Sequence, residues 1–117
     1  MATERMTLGR RGEDVALEYL EKQGLTLLER NWRSGHLEVD LIMSSPGMLH
    51  IVEVKTLRKP SPIEPWEHVD SFKQSKLAAA AGRYLRLRRF HGEVQFDIVS
   101  ILVEGEWESW NLRYIPN

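Results

Sequence analysis

Apolar residues recur at helical spacing between Leu8 and Gln23, at Leu8, Val15, Ala16, Tyr19 and Leu20, and Gly24 follows where a helix-terminating glycine belongs. That pattern predicts a first helix. From Leu25 to Trp32 the helical period is lost, and Leu, Thr and Trp mixed with polar residues read as a strand. Leu37, Val39, Leu41 and Met43 then alternate with Glu38, Asp40 and Ile42, the two-residue period of a strand. Ser44-Ser45-Pro46-Gly47 is turn chemistry, and the β-branched run from Met48 to Thr56 completes a hairpin.

Pro60, Pro62 and Pro65 break any regular element after Arg58 and predict a loop. Helical character returns from Val69 to Phe90, with an alanine run at Ala78 to Ala81 and the apolar set Phe72, Leu77, Ala81, Tyr84, Leu85 and Leu87. Val94 to Val103 reads as a strand, Glu104-Gly105 as a turn, and Trp107 to Ile115 as a last strand. The order αβββαββ has no internal repeat and no linker long enough to divide it, so residues 1–117 are expected to form a single α/β domain.

At 117 residues the chain has room for one core, and 42% apolar with 28% charged residues excludes collagen-like and disordered classes. The absence of cysteine removes disulfides, thiolate zinc sites, iron–sulfur centres and Cys nucleophiles. No signal-like or membrane-spanning apolar run is present, which predicts a cytoplasmic protein with no membrane partner. His36, His50, His68 and His91 lack the close spacing of a zinc site.

Candidate chemistry sits on the hairpin. If the turn sets Met43 opposite Met48, Asp40 faces Ile51 and Glu38 faces Glu53. Alternation then gathers Glu38, Asp40, Glu53 and Lys55 on one face, with Asp40 and Glu53 as diagonal neighbours. Like charges in that arrangement need Lys55, another cation or a protonated carboxyl. A hard divalent cation, Mg²⁺ or Mn²⁺, suits the oxygen donors of Asp40 and Glu53 plus a backbone carbonyl, and Lys55 is placed to orient water or stabilise charge on a phosphate. A solvated Glu–Lys ion pair is the ordinary alternative for the same pattern.

Several segments resemble the small bacterial YraN-type proteins: Gly12-Glu13, Arg30 to Arg33, Leu37 to Ile42, Val52 to Thr56, Lys73 with Lys76, and Phe96 to Val99. That family is similar in fold to Holliday-junction resolvases and to the wider restriction-endonuclease-like superfamily with its PD-(D/E)xK signature. The resemblance implies a three-layer fold in which a mixed central sheet is flanked by helices. It places the signature on Asp40, Glu53 and Lys55, with the Val54 carbonyl beside the metal and Glu13 as the helical acid. It also implies a homodimer acting on nucleic acid, DNA more than RNA, as an endonuclease. Without the resemblance, Glu13 reads as an acid favoured by the helix dipole. Leu37 and Leu57 depart from the glycine and arginine usual in the family.

Overall charge is −1, from sixteen Lys and Arg against seventeen Asp and Glu, yet the signs are segregated. Lys73, Lys76 and Arg83 share one face of the second helix, while Arg10, Arg11, Arg33 and Arg58 lie close in sequence to the acids. Such patches suit phosphate-backbone binding, with a log–log salt slope near ~−3.6 for about four contacts. A non-cleaving nucleic-acid module and a protein adaptor using Trp107 and Trp110 are the alternative readings. Trp66, Trp107 and Trp110 fit either base stacking or anchoring in a core.

Overall fold

The computed structural model describes residues 4–116, with side chains from Thr7 onward. Helix α1 (Glu4–Lys22) leads into β1 (Thr26–Ser34), β2 (Leu37–Ser45) and β3 (Met48–Arg58); after a loop come α2 (Ser71–Arg88), β4 (Glu93–Glu104) and β5 (Ser109–Ile115). The strands form one sheet in the order β1-β2-β3-β4-β5. All neighbours are antiparallel except β3 and β4, whose parallel pairing follows from the crossover through α2.

Each helix covers one face. Ala16 and Leu20, four residues apart on α1, are fully buried against Leu41, Met43, Val52 and Val99. Leu77, Ala80, Ala81 and Tyr84 of α2 repeat at three- and four-residue steps and pack on Val39, Ile42, Leu49 and Ile51. Asp70 caps α2 by accepting the Lys73 N–H at 2.9 Å, and Arg89 ends it in the left-handed region at φ 50. The result is the predicted order αβββαββ in three layers, a restriction-endonuclease-like fold. No helix of the described residues is long and apolar enough to cross a membrane.

The structure corrects several sequence expectations. Phe72 and Leu87 lie outside the buried stripe of α2 and are 68% and 61% exposed. The proline-rich loop contains a 3-10 turn, Pro65–His68, with proline at its start where the missing N–H costs no helical bond. Trp107 belongs to the β4–β5 turn, at φ 68, and β5 begins at Ser109. In the β2–β3 hairpin only Pro46 and Gly47 form the loop, Gly47 at φ 71, so Ser45 pairs with Met48 and Ile42 with Ile51. The register is therefore shifted by two residues from the expected one, a shift that by itself preserves faces but moves each side chain's partner.

Candidate functional site

Strands β1 and β2 kink together. Leu41 and Met43 face α1, whereas Leu37 and Val39 face α2, so the two-residue alternation slips at Asp40. Between the flanking pairs Arg30–Leu41 and Trp32–Val39 stands Asn31, at φ 52, a conformation asparagine tolerates better than most residues. Arg30 and Trp32 consequently reach opposite faces. Arg30 binds Asp14 of α1 at 2.6 Å, while Trp32 meets the Tyr84 ring of α2 edge-on at 5.4 Å.

Pairing between β2 and β3 stops at Leu41–Val52, although both strands continue. Asp40 takes over: its Oδ2 accepts the Val54 N–H at 2.8 Å. The shifted register sets Asp40 directly across from Glu53 rather than diagonally, and the two carboxyls hydrogen-bond each other. Such a contact requires one of them to keep a proton. Burial, followed by the Asp40 charge, pushes the Glu53 carboxyl up to about 8, and the neighbouring Lys73 ammonium opposes the rise. Asp40 is also raised by burial, against the lowering effect of the Val54 N–H and the Glu53 hydrogen bond. Lys73 Nζ stands 3.5 Å from Glu53 Oε1.

Glu13 reaches the pair from α1. The helix can approach β3 there because Gly12 lacks a side chain: a Cβ would collide with the Thr56 side chain. Burial and the Asp40 charge raise the Glu13 carboxyl, while hydrogen bonds from Asn31 and Arg30 lower it. Arg30 Nε lies 3.7 Å from Glu13 Oε1. Lys55, half-buried two residues beyond Glu53 and hence on the same side of β3, has no ion pair among the described residues.

Glu38 does not join the cluster. The slip at Asp40 turns it to the opposite side from buried Leu37 and Val39, where it forms an exposed ion pair at 3.2 Å with Arg33, its cross-strand neighbour. Leu37 fills the α2-side core with its side chain. The basic residues are spread widely. Arg10 and Arg11 are exposed on α1, Arg11 with its guanidinium 5.2 Å from the Trp107 ring centroid. Arg58 is half-buried at the end of β3. On α2, Lys76 lies 4.8 Å from the Phe72 ring centroid, and Arg83 donates to Ser34 Oγ at 3.0 Å and to its carbonyl at 3.2 Å. Lys73, expected as a phosphate contact, has its ammonium beside Glu53.

Two contributors escaped the sequence reading. The kink at Asn31 has no signature in hydrophobic periodicity; the tolerance of asparagine for the left-handed region is its only trace. The Lys73–Glu53 contact depends on how α2 docks, which no local pattern carries. As for metal, the donor set is all oxygen and includes a like-charge pair in need of a cation, which fits a hard ion. Among the described residues no group of three or more His, Asp and Glu side chains could hold one, so an ion here would rest on Asp40, Glu53 and main-chain or water oxygens.

Three layers around a mixed sheet, with acids converging where two central strands part, define the class of this protein as restriction-endonuclease-like in architecture. The chain belongs to the uncharacterised protein family UPF0102, which it matches over residues 12–101. It is 39% identical over 102 residues to a UPF0102 protein of Bacteroides thetaiotaomicron, covering 87% of this chain and 84% of the relative. Similar matches join it to UPF0102 proteins of Syntrophotalea carbinolica, 39% identical over 91% of this chain and 87% of the relative, and of Rhodococcus opacus, 40% identical over 84% of each.

Proposed function

We propose that the chain is a metal-dependent endonuclease hydrolysing phosphodiester bonds in nucleic acid, branched or otherwise structured DNA in preference to RNA, in the cytoplasm. The observation that carries this reading is the hydrogen-bonded Asp40–Glu53 pair, Glu53 buried and Asp40 partly so, at the point where β2 and β3 separate, with Lys55 on the same side of the strand. Such acids are costly to hold together without a cation, and perturbed carboxyls of this kind cluster at functional sites. Asp40 and Glu53, with the Val54 carbonyl, would hold Mg²⁺ or Mn²⁺, which when bound supplies Lewis-acid polarisation of phosphate and a more acidic water. Lys55 donates to the attacking water or to the phosphate oxygens as charge builds on them. Glu13, steadied by Asn31 and Arg30, orients water beside Asp40.

A second reading has support of its own. Lys73 already supplies a cation to Glu53, which is how a non-catalytic descendant would stabilise the pair, leaving a nucleic-acid-binding module. Incubation with Mn²⁺ and end-labelled duplex, flapped and four-way-junction DNA separates the two. Cleavage of at least one substrate, lost in Lys55→Ala and Asp40→Asn, is the expected result; no cleavage above the Lys55→Ala control overturns the enzyme reading. The homodimer this class implies is measured by sedimentation velocity.

A further inference from the structure

The site extends across the sheet towards its β5 edge. Lys55 on β3 is level with Ser100 on β4, and Ser100 with Arg113 on β5, so one row leads from the carboxylates to the last strand. At strand spacing that row is about 10 Å long. Over it sits the 3-10 turn. The Trp66 N–H donates to Ser100 Oγ at 3.0 Å, and Pro65 beside it is buried, so the backbone under Trp66 is fixed. The indole is nevertheless 37% exposed, with the Arg113 guanidinium 5.9 Å from a ring centroid.

A second aromatic repeats the arrangement. Phe72, 68% exposed, is next in sequence to Lys73, whose ammonium meets Glu53, and the Lys76 ammonium lies 4.8 Å from its ring. Single exposed apolar residues need no explanation. Here two exposed rings each have a cation at the ring: Phe72 adjoins Lys73, which meets Glu53, and Trp66 sits over the row that leads from Lys55. Trp107 shows the contrast: 8% exposed, it is packed into the α1-side core. A ring attended by a cation on one side can receive a nucleobase on the other, while the cation reaches a phosphate.

We propose that Trp66 and Phe72 form a stacking site for unpaired nucleobases, with Arg113 and Lys76 holding the phosphates of the same strand. This rests on the nucleic-acid reading above and narrows its substrate to single-stranded or locally unpaired polynucleotide, since the bases of an intact duplex are stacked on each other. Every base has a π-face, so DNA and RNA strands share the chemistry that this site recognises.

The test is binding without cleavage, in EDTA at low salt, using fluorescent 20-residue strands of DNA and RNA, the matching DNA duplex, and a DNA strand of the same charge carrying abasic residues. Aromatic stacking contributes enough per base to expect roughly tenfold effects. The intact strands should bind about tenfold more tightly than the duplex or the abasic strand. Trp66→Ala should remove that difference, Trp66→Phe should restore most of it, and Phe72→Ala should reduce it by about threefold, with circular dichroism unchanged. Comparison of the DNA and RNA arms identifies which sugar the site prefers. Should Trp66→Ala fail to fold, Phe72→Ala and Arg113→Ala carry the same comparison. Equal affinity for intact strand, abasic strand and duplex overturns the stacking site and leaves the nucleic-acid reading standing. Failure to bind any of the polynucleotides overturns both.

Discussion

Two buried acids, Asp97 and Glu53, lie almost level in the sheet and could hardly be held more differently. Asp97 on β4 pairs with Val52, and the next pair along is Glu53 with Ile98. Asp97 is 1% exposed on the α1 side, where its Oδ1 accepts Gln95 Nε2 at 2.8 Å and its Oδ2 accepts His50 Nδ1 at 2.8 Å and the Tyr114 hydroxyl at 2.7 Å. Ser45 Oγ, 2.8 Å from His50 Nε2, completes the chain. Burial and the Asp97 carboxylate hold the Tyr114 phenol above its ordinary range, so it stays a donor. Glu53, 7% exposed and served by Lys73, faces another carboxyl. A buried carboxylate surrounded by donors belongs to the architecture. One left to share a proton with its neighbour is the kind of perturbed group that clusters at functional sites.

That contrast predicts opposite responses to neutralisation. Asp97→Ala takes the acceptor from three donors at once, the buried His50 and the half-buried Gln95 and Tyr114, and breaking a network around a buried carboxyl should cost about 3 kcal/mol or more. Urea unfolding measures it. Asp40→Asn, which keeps an oxygen for the Val54 N–H and an amide donor towards Glu53 in place of the shared proton, should leave the midpoint unchanged or raise it. Equal losses in both variants would erase the distinction between the two sites.

The pH response sharpens it. Glu53 moves from an ordinary value of 4.5 in the unfolded chain to about 8 in the fold, so the folded state holds its proton more tightly. The resulting stability is complete below pH 4.5 and is lost as pH rises through about 8, and the raised Asp40 carboxyl acts in the same direction. In metal-free buffer the melting temperature should fall by several degrees between pH 6 and pH 9, and Glu53→Gln should flatten that fall. A slope unaffected by Glu53→Gln would mean that the pair is not the group that titrates.

Much of the site was legible in the chain because strand alternation is robust to small errors of register. A turn read as four residues instead of two misplaced Asp40 by two positions, yet a two-residue shift preserves faces, so Asp40 and Glu53 stayed together. Three layers followed from the periods of two helices and five strands. What escaped was non-local or conformational. Asn31 reverses the alternation through a backbone angle, which expelled Glu38, and the exposed Phe72 and Leu87 show that an apolar pattern marks helix faces only where a sheet waits to receive them.

A smaller effect tests how Glu13 joins the acids. Gly12→Ala puts a methyl into the Thr56 side chain, and relieving the collision means shifting α1 or turning Thr56, whose buried Oγ1 has no hydrogen-bond partner. Overpacking of this kind costs about 1–3 kcal/mol. If α1 moves, Glu13 moves with it, so any cleavage should fall further than the stability loss explains. Thr56→Ala in the same background removes the colliding hydroxyl and should recover most of both. Recovery of stability alone would remove Glu13 from the working site.

Glu38 supplies the smallest expected change. Its ion pair with Arg33 is exposed, with side chains 57% and 72% accessible respectively, and exposed pairs contribute about 0–1 kcal/mol. Glu38→Ala should therefore shift the unfolding midpoint barely at all and leave any cleavage rate within about twofold, even though Glu38 stands only two residues from Asp40 on the same strand. In a regular strand the two side chains would share a face, and Glu38 would add a third carboxylate to the pair; the kink at Asn31 and Asp40 is what separates them. A Glu38→Ala loss as deep as that of Asp40→Asn would mean that the strand straightens when substrate binds, restoring alternation and bringing Glu38 back to the acids.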